Sequence, residues 1–247
     1  MKVSASKINM YLRCGLQYYF RYEQGIKIPP PGIVITGSSA HKALEFNFTQ
    51  KIESRIDKKV DEVLDCFSDT FELKRNEAEF KDDEKPAELK DKGISVLRKF
   101  QTENSPLIQP VKCENKSMII LENDHELEMY IDMIDDKDNI WDHKLSSRKK
   151  TGNEDLLQLS LYSYAIKKSN QHIVKCCINN LVITKEPQVN ILPVIINDDQ
   201  RERSLMYVSS VINAIQKQVF LPAPPNSWIC SEKWCGYWNL CHGGKKI

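Results

Sequence analysis

The spacing of apolar residues changes period more than once along this chain. Beginning at Ser6, which can cap a helix, Ile8, Tyr11, Leu12, Leu16, Tyr19 and Phe20 recur at helical intervals and predict a helix to about residue 25. "PPPG" at 29–32 breaks it. After Gly37, "SSAHKALEFNF" predicts a second helix with His41, Leu44, Glu45 and Phe48 on one face. A third is expected over about 54–74, from Ile56, Val60, Val63, Leu64, Phe67 and Phe71. A fourth opens at "KPAELKDKGISVLRKF", with Pro86 in its first turn.

The period then falls to two. "KSMIILE", "HELEMYIDMI" and "NIWDHKLS" alternate as antiparallel strands do, joined by turn chemistry at "ND" and "DDKDN". Residues 151–169 return to helical spacing, "IVKCCINNLVIT" and "VNILPVII" read as two more strands, and Asp198 can cap a last helix to about 220. "LPAPPNSW" is an extended loop leading into a cysteine-rich tail. The order is therefore helices, a three-strand meander, a helix, two strands, a helix and the tail, with no internal repeat.

Side-chain direction gives the meander its interest. In a strand, residues two apart share a face. Leu127, Met129, Ile131 and Met133 share one face, and Glu126, Glu128, Tyr130 and Asp132 the other. In the next strand Asp142 and Lys144 project together, while Trp141, His143 and Leu145 point the opposite way. The turn at 135–139 folds the second strand back on the first, which places Asp132, Asp142 and Lys144 on one side of one hairpin. Opposite charges on a half-buried strand add little net stability, so the pairing needs another reason.

Composition narrows the field. Hydrophobic residues make up 41% of the 247 positions, and no apolar run approaches the ~18 residues of a membrane helix. The opening "MKVSASKINMYLRCG" lacks the apolar core of a secretory signal, so a cytoplasmic protein without membrane contact is expected. With 35 basic and 34 acidic residues the net charge is +1; nucleic-acid binding would need a local groove rather than bulk charge. "SSRKK" at 146–150 is one basic cluster; Lys7, Arg13, Arg21 and Lys27 form another. "GIVITGSS" has phosphate-loop glycine spacing but no lysine, which argues against a nucleotide-driven motor.

Each candidate residue is ordinary alone. Together, Asp132, then Asp142-x-Lys144, then Gln158-x-x-x-Tyr162 on one face of the following helix, with His41 near the start of an early helix, resemble the PD-(D/E)XK nuclease superfamily, and within it the RecB-like exonucleases. The likeness spans nearly the whole chain and includes "SASKINMYLRCGLQYYFRYEQG" as a first helix and "GSSAHKALE" as a histidine motif. It implies an α/β, restriction-endonuclease-like core: a central mixed sheet flanked by helices, in a single domain over 1–247. The segment at about 50–105 would be a helical insertion, and 221–247 a cluster-binding tail packed on the N-terminal helix.

The chemistry asks for these residue types. Phosphodiester cleavage favours a hard divalent cation held by carboxylates and water, which Asp132 and Asp142 could supply to Mg²⁺; His41 as a further ligand would make Mn²⁺ a good substitute. Lys144 would orient or help deprotonate the attacking water and stabilise developing negative charge. The resemblance further implies that the backbone carbonyl of Leu145 completes the metal shell. It also implies that Gln158 and Tyr162 steady the lysine, the water or a scissile-strand phosphate. Where the family usually has a small residue, two before the first aspartate, this chain has Tyr130. Tyr130 could narrow the DNA approach or stack on a base, with Arg148, Lys149 and Lys150 tracking phosphates; Trp141 and the Trp-rich tail are further stacking candidates.

Eight cysteines are many for a cytoplasmic chain, where disulfides are disfavoured. Cys230, Cys235 and Cys241 are spaced C-x4-C-x5-C, and Cys14 on the first helix is the candidate fourth ligand; His242 is a weaker substitute for Cys241. This one-then-three distribution resembles the iron–sulfur nucleases of the same branch, including CRISPR-associated exonucleases, in which a 4Fe–4S cluster staples the two chain ends. Four thiolates also suit structural zinc, although paired C-x2-C knuckles are absent. Cys66, Cys113, Cys176 and Cys177 fall in helix and strand patterns and read as core residues.

The sequence thus leads to a Mg²⁺- or Mn²⁺-dependent deoxyribonuclease, an exonuclease on single-stranded DNA or DNA ends with some endonuclease action admitted, whose partners beyond DNA would be other DNA-processing or CRISPR proteins. The alternative is a non-catalytic nuclease-like DNA-binding or interaction subunit with a structural four-cysteine metal site. A redox iron–sulfur protein is a third class, for which no partner site is visible.

Overall fold

A computed structural model describes residues 1–247 except 82–83, 122–123, 170–171, 173–174 and 242–247. The chain forms two compact units: Met1–Ile28 with Met118–Glu128 and Asp198–Ile247, and Pro29–Ser117 with Met129–Asn197.

The second unit holds the meander and the helices before it. Strands β3 (Glu126–Asp135), β4 (Asn139–Ser146), β5 (Lys175–Val182) and β6 (Gln188–Val194) are neighbours in that order, and β2 (Pro110–Ile120) pairs with β3. β3–β4 and β5–β6 are antiparallel, whereas β4–β5 is parallel, so the sheet is mixed. A parallel pair needs a crossover, which α6 (Leu156–Lys168) supplies.

The β3–β4 turn is pinned by one buried side chain. Asp135 Oδ1 accepts from the backbone N–H groups of Lys137 and Asn139, both at 2.9 Å, and Oδ2 from Asn139 Nδ2 at 2.9 Å and Trp141 Nε1 at 2.7 Å. This sets Met133 opposite Trp141 and Ile134 opposite Ile140. One step further, Asp132 comes opposite Asp142. The expected alternation holds, with Leu127, Met129, Ile131 and Met133 buried and Tyr130 exposed.

Helices α3 (Gly32–Ser54), α4 (Val60–Arg75) and α5 (Pro86–Glu103) cover this sheet, with Phe48, Phe67, Phe71, Leu97 and Phe100 in one core with Met133, Trp141 and Leu181. The segment expected as an insertion, 50–105, therefore contributes to the core of its unit. α4 and α5 meet closely at Gly93, where a Cβ would lie 2.3 Å from the Phe67 ring. α3 begins at Gly32, six residues before the expected start; Thr36 and Ser39 hydroxyls donate to the carbonyls of Gly32 and Ile35, four residues back, and carry the helix across the polar stretch.

In the first unit β1 (Lys2–Ser4) runs parallel to the opening residues of β3. Three residues are too few to show a period, and this strand was not expected. The long first helix is in fact broken: α1 (Ala5–Arg13) stops at Cys14, which is extended, and α2 (Gly15–Tyr18) continues into a π-turn over Tyr19–Glu23. The break brings the tail against Gly15, where a Cβ would lie 2.8 Å from the Leu221 backbone nitrogen; Leu16 N–H donates to the Leu221 carbonyl. α7 (Asp198–Gln216) packs on α1.

Candidate active site

The second unit brings His41, Asp132, Asp142, Lys144, Gln158 and Tyr162 together from α3, β3, β4 and α6. Asp142 is fully buried, and Lys144 Nζ lies 2.9 Å from each of its carboxylate oxygens, donating to Oδ1. Gln158 Nε2 donates to Asp142 Oδ1 at 3.1 Å and to the Tyr162 hydroxyl at 2.6 Å, while its Oε1 accepts from Lys144 at 3.4 Å. The i, i+4 spacing of Gln158 and Tyr162 on α6 makes this possible. Asp142 Oδ2 is buried, with the Lys144 amine as its neighbour at 2.9 Å.

Asp132 is held differently. One oxygen accepts the backbone N–H of His143 at 2.6 Å, and His41 Nδ1 stands 3.6 Å from that oxygen. The His143 backbone lies beside the His41 ring, where it favours the protonated form. The Leu145 side chain lies against Gly37, with its Cβ 3.9 Å from where a Cβ there would be.

Three further residues belong here. Donor atoms of Glu114, His41 and Asp132 all lie within 4.8 Å of one another. Glu114 escaped the sequence reading because β2 starts at Pro110, in "PVKCEN", which has no clean alternation. Asn179 and Asn180, buried on β5, were also missed: Asn179 Nδ2 meets His143 Nδ1 at 3.0 Å, and Asn180 receives the Lys150 N–H at 2.8 Å. A polar pair inside an otherwise apolar strand is the signal that could have revealed them.

The electrostatics follow from burial. Burial, then the charge of Asp142, pushes the Asp132 carboxyl up to about 7. Burial also raises Asp142, against the pull of Lys144. For Lys144, burial opposes its charge, but Asp142 and Asp132 outweigh it and hold the amine above its ordinary range. Burial and Lys144 lower His41, which leaves a neutral imidazole able to ligate. Buried Asp142 and half-buried Asp132, beside a neutral imidazole, form a donor set suited to a divalent cation.

The expected DNA-facing residues separate. Arg148 and Lys149 are exposed, but Lys150 is committed to Asp155 at 2.6 Å and to closing the loop on Asn180. Tyr130 is exposed, with Lys116 Nζ 5.6 Å from its ring centre. Trp141 is buried and bonded to Asp135, so it is unavailable to a base.

In the first unit Cys14, Cys230, Cys235 and Cys241 line one cavity of about 620 Å³ together with Phe20, Phe220 and Trp238. Burial first, and then Cys241, Cys14 and Cys235, raise the Cys230 thiol. Gln17 Nε2 donates to Cys235 Sγ at 3.3 Å. The four sulfurs are not gathered within 4.8 Å as the His41 group is. His242 lies outside the described residues.

A carboxylate-rich hairpin on a mixed sheet, with a lysine two residues after the second acid, defines a restriction-endonuclease-like nuclease core. The family model of the PD-(D/E)XK nuclease superfamily matches residues 2–242, and the chain belongs to that superfamily. A crystal structure named "Putative exonuclease", from Eubacterium rectale, is similar over 98% of this chain and 93% of its own, with TM-score 0.63 and 12% identity. A second structure, SSO0001, covers 99% of this chain and 87% of its own, with TM-score 0.47 and 9% identity. No curated protein sequence matches the chain. Among the described residues, no helix is long and apolar enough to cross a membrane.

Proposed function

We propose that the chain is a divalent-metal-dependent deoxyribonuclease that acts as an exonuclease on single-stranded DNA or DNA ends. The observation that carries this reading is the Lys144 amine held 2.9 Å from buried Asp142, with Asp132 opposite on the hairpin. His41, Asp132 and Asp142 would hold the cation, which when bound supplies charge neutralisation at the phosphodiester and a more acidic water. Lys144 orients the attacking water and meets negative charge developing on phosphorus oxygens. Gln158, anchored by Tyr162, keeps the amine in line. Exonuclease rather than endonuclease action draws support from the name of the Eubacterium rectale structure alone.

The test is digestion of end-labelled single- and double-stranded DNA with Mg²⁺ or Mn²⁺, against EDTA controls. Parent-rate degradation by Lys144→Ala or Asp142→Ala would end the assignment. The non-catalytic alternative predicts binding without cleavage under every metal condition.

The cavity lined by Cys14, Cys230, Cys235 and Cys241 supports a four-thiolate metal site, and the C-x4-C-x5-C spacing, without paired C-x2-C knuckles, favours a 4Fe–4S cluster over zinc. Oxygen-free purification with iron and zinc analysis separates the two: a brown protein rich in iron supports the cluster, and stoichiometric zinc refutes it.

A further inference from the structure

We infer that Glu114 on β2 is a further direct ligand of the divalent cation, joining His41 on α3 and Asp132 on β3 beside Asp142 on β4. The inference rests on reading this site as cation-binding and adds a ligand that the D-x-K pattern does not contain.

Distance carries it, and the backbone at Glu114 supports it. The donor atoms of these three side chains lie within 4.8 Å of one another, a spacing that one ion can bridge. Asp142, buried on the neighbouring strand, borders the group with the Lys144 amine 2.9 Å from both its oxygens. The carboxylates nearest the group keep partners of their own: Lys42 lies 3.0 Å from Glu45, and Lys150 2.6 Å from Asp155.

The backbone at Glu114 makes a separate test available. Its φ of 44° is in the left-handed region, where a glutamate is strained and glycine is not. A residue kept there at a cost to the fold points to a function for its side chain. Imidazole plus carboxylates also favours Mn²⁺ over Mg²⁺, because Mg²⁺ prefers oxygen donors.

The experiment is Mn²⁺ binding to the full chain by titration calorimetry and electron paramagnetic resonance, for the parent, Glu114→Gln, Glu114→Gly and Asp132→Asn. Glu114→Gln should weaken Mn²⁺ at least as much as the about 10- to 100-fold that losing an outer-shell partner costs. Glu114→Gly should weaken it equally while raising the melting temperature of the chelated protein. If Glu114→Gln binds Mn²⁺ as the parent does while Asp132→Asn does not, the inference falls and the nuclease reading stands. A parent that binds no Mn²⁺ at millimolar concentration overturns both.

Discussion

Asp132 accepts the backbone N–H of His143 at 2.6 Å, so the carboxylate proposed as a cation ligand also holds the middle of the strand that carries Asp142 and Lys144. The two duties separate by substitution. Asp132→Asn keeps an acceptor and should unfold within about 1 kcal/mol of the parent, yet lose cleavage and metal affinity. Asp132→Ala should cost about 1–3 kcal/mol more, because a backbone donor loses its partner. Denaturant unfolding of both variants checks this.

Stability without metal should fall as pH rises. The Asp132 carboxyl stands at about 7 in the fold, above the ~3.9 of an unfolded chain. The folded state therefore binds the proton more tightly, and this contribution is full below the unfolded value and lost as pH climbs through about 7. Chelated protein should be less stable at pH 8 than at pH 5 by on the order of 2–4 kcal/mol, and Mn²⁺ at pH 8 should restore the difference. Urea unfolding with EDTA or Mn²⁺ across this range is the measurement; a clearly shallower profile in Asp132→Asn, with Asp142 still raised by burial, ties the difference to Asp132.

Removing the amine should expose the carboxylate it serves. Lys144→Ala leaves buried Asp142 without its counter-charge, so the metal-free variant should be destabilised at neutral pH by a few kcal/mol and less so near pH 5, where Asp142 can take up a proton. Cleavage should fall by about 10²- to 10⁴-fold. Unfolding and single-turnover digestion on one preparation measure both.

Cysteines should sort into two classes. Cys14→Ser and Cys230→Ser should lose bound iron and the visible absorbance, since both line the cavity. Cys66→Ser and Cys113→Ser, in the other unit, should retain them. Iron analysis of the four variants checks the division.

Much of the site was legible because its residues sit on regular elements. A period of two put Asp132, Asp142 and Lys144 on one side of a hairpin, and a spacing of four put Gln158 over Tyr162. The family match and the fold agree with the class read from that pattern. Glu114 was hidden because its strand alternates poorly and the left-handed residue itself bends the chain. The cap of α3 was hidden by a proline-rich entry, and the break at Cys14 by an apolar stripe that continues across it. Lys150 looked like one of three equal cations, and only the fold distinguishes a lysine spent on Asp155.

The Asp135 clamp has a consequence for how the chain avoids misfolding. Because faces alternate, sliding β4 by a single residue would thrust the Trp141 indole into the acidic pocket and bury Asp142 where His143 now stacks 5.7 Å from the Phe48 ring. Such an error would forfeit an aromatic from the interior and strand a charge in it at once. The hairpin thereby checks its own alignment as it closes, before any ion or nucleic acid arrives.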